Sequence, residues 1–212
     1  MLKKSLLAQA ILSATLVLTG CGGSGSDTPD SASTQPVTKE PIKNDPVIVI
    51  EQTLFAAYGD VNTGTELWIT DGTEAGTKFV KDINASGNSH PYNFTQVGDK
   101  WFFNADNDTN GVELWVTDGT EAGTLMVKDI RSGSSSSHPA NLIAYKGKLI
   151  FSATDALGDT ELYISDGTEA GTNLVKDIHP NASSRIGNTV LFNDQVYFTA
   201  KDENFARQEL WK

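Results

Sequence analysis

From residue 45 onward, apolar and polar residues alternate in short runs, and Gly, Asn, Asp and Ser clusters separate the runs. Over 112–117, Leu114 and Val116 fall on one side, with Glu113, Trp115 and Thr117 on the other. A period of two is that of a β-strand. The pairs Leu67/Ile69 and Leu162/Ile164 repeat it. Other runs carry bulk on both sides, as at Trp101, Phe102 and Phe103, which predicts strands sandwiched between neighbouring sheets. Outside the first twenty residues no stretch has a convincing helical period.

The runs recur as a block. ELWITDGTEAGTKFVKDI starts at Glu66, ELWVTDGTEAGTLMVKDI at Glu113 and ELYISDGTEAGTNLVKDI at Glu161. ELW begins again at Glu209, so the starts lie 47, 48 and 48 residues apart. Aligning Phe55, Phe103, Phe151 and Phe198 brings the upstream runs into register and gives units 45–92, 93–140, 141–187 and a partial 188–212. In the second unit four strands are predicted at 94–97, 100–105, 112–117 and 124–130, joined by turns rich in Gly, Asn and Asp. A repeat of this length buries its apolar face only by stacking on its neighbours. The expected fold is all-β: β-propeller-like tandem four-stranded antiparallel blades, about three and a half of them, an incomplete ring. A β-solenoid with two coils per repeat is the alternative. The aromatic after Glu-Leu (Trp68, Trp115, Tyr163, Trp211) is expected to fill the space between units.

DGTEAGT is identical in the three full copies. Its Asp (Asp71, Asp118, Asp166) is suited to an Asx-turn, and its glycines to positive φ or close backbone approach. That structural role outweighs a functional one for these carboxylates.

The N-terminus has a different character. Lys3 and Lys4 precede the apolar run Leu6 to Leu18, whose 13 residues have the length of a signal h-region and are too short to span a bilayer. Leu18-Thr19-Gly20-Cys21 resembles a bacterial lipobox. The resemblance implies that 1–20 is a lipoprotein signal peptide and that Cys21 is the lipidated mature N-terminus, with acyl chains such as palmitate anchoring it in the membrane. Gly22, rather than Asp, after the cysteine points to the outer membrane. Residues 21–44 then form a lipidated tether. From residue 22 it reads GGSGSDTPDSASTQPVTKEPIKN, too poor in large apolar residues to order itself. As a flexible coil it spans roughly 25 Å.

Charge and chemistry narrow the function. The formal charge is −11, and loss of Lys3 and Lys4 with residues 1–20 makes it −13. Such a chain repels nucleic acid, so no nucleic-acid partner is expected. One cysteine excludes an internal disulfide. Asp106-Asn107-Asp108-Thr109-Asn110-Gly111 resembles the start of a calcium loop, but Thr117 stands where a bidentate Glu would close it. A solvated hairpin loop is the better reading. His90 and His138 fall at equivalent positions, whereas Arg185 takes that place in the next unit. Exposed loop histidines are expected there. No metal site, cofactor or catalytic constellation is expected.

The repeat ELWxTDGTxAGTxxVKDI resembles the ELWxxDGT repeat family of bacterial surface and secreted proteins, over 45–211, with Tyr163 and Ser165 as mild departures. The family implies propeller-like β structure and supplies no catalytic residues. The expectation is a cell-envelope lipoprotein that binds, adheres or scaffolds, with an unknown protein or carbohydrate ligand. The alternative is a fragment of a larger propeller hydrolase or carbohydrate-active protein. Three and a half units leave a ring open. The chain is therefore read as shortened from a longer one, the alternatives being an oligomer that completes the fourth unit or an open arc.

Overall fold

The computed structural model describes residues 51–204 and 207–212. Cys21, the tether and the first-strand position of the first unit lie outside them. The described residues form fourteen β-strands in four antiparallel sheets. The first sheet has β1 (Thr53–Tyr58), β2 (Thr65–Thr70) and β3 (Lys78–Lys81). The second has β4 (Tyr92–Val97), β5 (Lys100–Asp106), β6 (Val112–Thr117) and β7 (Leu125–Lys128). The third has β8 (Ala140–Tyr145), β9 (Lys148–Thr154), β10 (Thr160–Ser165) and β11 (Asn173–Lys176). The fourth has β12 (Gly187–Phe192), β13 (Gln195–Ala200) and β14 (Glu209–Trp211). In every sheet neighbours in sequence are neighbours in space, as short turns dictate for antiparallel strands.

β5 runs one residue longer than expected, and two other strands shift for local reasons. β4 starts at Tyr92, two residues before the predicted start, and the register slips between Tyr92 and Thr95. There Asn93 takes a φ of 59°, and Asn141 and Asn188 repeat this at 56° and 48°. Asparagine tolerates the left-handed region, which accounts for its recurrence at this position. β7 is shorter than expected because its two ends are engaged elsewhere. The Thr124 hydroxyl lies 2.7 Å from that of Thr117, and the Ile130 N–H is taken by a carboxylate.

The core lies between sheets. Val97, Phe102, Leu114 and Val116 of the second sheet pack on Leu149, Phe151, Ala153 and Tyr163 of the third. Equivalent sets join the first sheet to the second and the third to the fourth. Trp115 and Tyr163 are buried in these layers and Trp211 packs against the last, as expected for the aromatic after Glu-Leu. Trp68 differs: it lies on the outer side of the first sheet, against Phe55 and Phe79. Between sheets, the first strands adjoin, β4 with β8 and β8 with β12.

Candidate functional site

The most conspicuous chemistry is a buried carboxylate in each full repeat. Glu66, Glu113 and Glu161 are 0%, 0% and 2% exposed. Each opens the Glu-Leu-aromatic stretch on a third-position strand or, in the first sheet, on β2. Glu113 Oε2 accepts the Ile130 N–H at 3.2 Å and the Ser137 hydroxyl at 2.5 Å, while Oε1 accepts the Ser137 N–H at 2.8 Å. Glu66 does the same with Ile83 and Ser89, and Glu161 holds the Ile178 and Ser184 N–H groups likewise, with the Ser184 hydroxyl reaching both of its oxygens. The donors lie 17 and 23 or 24 residues downstream. Burial pushes all three carboxyls above the usual 4.5, against the serine and isoleucine hydrogen bonds, which favour the ionised form.

The serines carry the connection onward. The Ser89, Ser137 and Ser184 carbonyls accept N–H bonds from Asp106, Thr154 and Lys201, at the ends of β5, β9 and β13 in the next sheet. Each glutamate therefore fixes the segment that crosses from one sheet to the next. Asn104 adds a cross-sheet bond to the Pro139 carbonyl at 2.7 Å, and Asn141 one to the Ile186 carbonyl at 3.1 Å.

The DGTEAGT turn is a closed hydrogen-bond cage. Asp118 Oδ1 accepts the Thr120 N–H and hydroxyl at 2.9 and 2.7 Å. The Thr120 hydroxyl oxygen accepts the Gly123 N–H at 3.0 Å, and the Thr124 hydroxyl donates to the Thr120 carbonyl at 2.6 Å. Asp71 and Asp166 repeat the pattern. The threonine hydroxyl and N–H hold these three carboxyls below the usual 3.8. A side chain at Gly123 would displace the caged carboxylate, since a Cβ there would lie 2.1 Å from Asp118 Oδ1. The cage also serves the neighbouring sheet. Lys81 Nζ donates to the Thr124 carbonyl at 2.8 Å, and Lys128 Nζ to the Thr172 carbonyl at 3.1 Å. Lys176, next in the series, instead sits 5.0 Å over the Trp211 ring.

The calcium-like loop is tied internally. Asp106 Oδ1 accepts the Asp108 N–H, and Asn107 Oδ1 accepts the N–H groups of Thr109 and Asn110. Asn110 Nδ2 donates to Asp129 Oδ2 at 2.8 Å. His90, His138 and Arg185 are exposed and share a positive φ of 45°, 45° and 51°. No group of three or more His, Cys, Asp or Glu is placed to hold a metal among the described residues. A mainly apolar cavity of about 490 Å³ opens between the third and fourth sheets, lined by residues including Ile150, Leu162, Val175, Lys176, Phe198 and Trp211.

The glutamate–serine clamp is absent from the sequence-based reading. Two signals pointed to it: a glutamate kept in every copy at a position that also carries a large aromatic two residues on, and a serine 23 or 24 residues downstream in the three full copies. Comparison with protein-family models, curated proteins and solved structures finds no match to this chain.

Proposed function

We propose that this chain is a bacterial envelope lipoprotein: a lipid on Cys21 anchors it, most simply in the outer membrane, and its repeats form a β-propeller-type module that binds or scaffolds a protein or carbohydrate ligand. The observation that carries the module reading is the use of the repeated carboxylates. Glu66, Glu113 and Glu161 hold the crossings between sheets, and Asp71, Asp118 and Asp166 hold turns. These six carboxylates are committed to architecture, and recognition falls to the exposed loops, where Glu74, Glu121 and Glu169 of the same motif recur at equivalent places. First strands adjoining between successive sheets support a fan of blades about a common axis, as in a propeller.

The test is metabolic labelling with palmitate followed by detergent partitioning and density-gradient separation of membranes. The wild-type chain is expected to take up label and travel with outer membranes; Cys21→Ser is expected to take up none and to appear in the aqueous phase. Identical partitioning of the two would reject the anchor. The lipid-free chain, applied to arrayed envelope polysaccharides and surface proteins, tests the binding half, which fails if nothing is retained.

A further inference from the structure

The two outermost sheet faces among the described residues match the two sides of the internal interfaces. Each internal layer joins the forward face of one sheet to the rear face of the next. On the forward side of the second sheet, Val97 and Leu114 are 7% and 0% exposed. The residues at the same register in the fourth sheet are Phe192 and Leu210, at 61% and 72%. Leucine at this register is almost fully buried in the first three sheets, at Leu67, Leu114 and Leu162. Two things differ among the described residues: no layer covers this face of the fourth sheet, and β14 is the edge of its sheet, where β2, β6 and β10 are interior. At the other end, the rear face of the first sheet presents Phe55, Trp68 and Phe79, with Trp68 in contact with both phenylalanines. Phe55 and Trp68 stand where the second sheet has Phe103 and Trp115, at 0% and 6%, and the third has Phe151 and Tyr163, at 1% and 8%.

We propose that a second copy of this chain docks head to tail, the rear face of its first sheet on the forward face of the fourth. The occupant follows from continuity with an interface the molecule already builds three times. The side chains that would meet, Phe192 and Leu210 with Phe55 and Trp68, belong to the same register positions that pack inside the fold. The contact is heterologous, with different patches meeting, so it either closes a ring or propagates. The described residues of two copies bring eight sheets, the upper end of the range over which propellers close. This differs from an oligomer that donates a strand to the last sheet: here whole faces stack and no strand crosses. The stacking does not depend on the anchor or on the ligand; only closure at two copies rests on the propeller-type reading.

The test uses the full chain carrying Cys21→Ser, followed by sedimentation velocity up to roughly 100 µM. Phe79→Asp disables the rear face and Leu210→Asp the forward face, both at exposed positions, so matched circular dichroism shows that each variant is folded. The parent is expected to self-associate with concentration, and each variant alone to stay monomeric. Mixed in equal amounts, the two variants are expected to form a 1:1 complex, because each keeps the face the other has lost. A parent that stays monomeric throughout, with the faces covered by some other segment or protein, overturns the proposal. So does a single variant that still self-associates, or a mixture that does not combine. A parent that assembles beyond two copies keeps the stacking and rejects ring closure at eight sheets.

Discussion

Replacing Glu113 by Gln isolates the clamp, because it keeps the shape of the side chain and removes one acceptor. A carboxylate offers two acceptor oxygens, and here they receive three donors: the N–H groups of Ile130 and Ser137 and the Ser137 hydroxyl. A carboxamide must place its NH2 where one oxygen stood. The hydroxyl can rotate to accept from it, but a backbone N–H cannot reverse. One buried N–H is left facing another donor, at a cost of about 1–3 kcal/mol. An opposing effect is smaller. Burial pushes the Glu113 carboxyl above 4.5, so its ionised form carries a desolvation cost that Gln lacks. The expected net loss at pH 7 is about 1–2 kcal/mol, or roughly 2–4 °C of Tm per kcal/mol for a folded unit of this size. Glu209→Gln is the control. Glu209 occupies the same motif position but is exposed, and its change is expected to stay within about 0.5 kcal/mol.

The same pair of variants carries a pH signature. Between 4.5 and the raised folded value, the native state binds more protons at Glu113 than the unfolded chain does. The stability contributed by that group therefore falls as pH rises through this window. Gln does not titrate, so the gap between wild type and Glu113→Gln is expected to narrow with rising pH. Urea unfolding followed by tryptophan fluorescence reads both effects, since Trp115 lies two residues from the substitution. Equal losses for Glu113→Gln and Glu209→Gln, or a gap that widens with pH, would refute the reasoning.

Gly123→Ala sets a Cβ against the Asp118 carboxylate, so its cost is expected to fall when Asp118→Ala is added, with a coupling of about 0.5 kcal/mol or more; simple additivity in urea curves would show that the two do not share one cage. Lys128→Met removes a charged bond to the next sheet and is expected to cost about 1 kcal/mol. Lys176→Met loses only the stacking on Trp211, about 0.5 kcal/mol, and equal melting shifts would contradict that difference. Asp118 is held below 3.8 chiefly by Thr120. Its contribution is present above 3.8 and is lost as pH falls through the lowered value. Thr120→Val should move the carboxyl's NMR titration upward, and an unmoved midpoint would deny the hydroxyl its role.

Much of this protein follows from nearest neighbours in the chain. Alternation at Leu114 and Val116 against Trp115 sets a strand whichever way the chain later turns, because side chains on a strand point alternately to its two faces. The cage of Asp118, Thr120 and Gly123 closes within six residues, so its chemistry could be read as a turn without a structure. The 47- and 48-residue period announced stacked sheets, and Phe103 and Trp115 duly pack between them. The tertiary structure alone decided the fate of the glutamates. Nothing adjacent to Glu113 says whether it meets water or a buried serine, since its donors come from 17 and 24 residues downstream. It likewise decided that the same leucine is buried at 114 and exposed at 210. A strand's pattern determines which side chains share a face, but burial belongs to whatever covers that face, and that is a property of the neighbouring sheet.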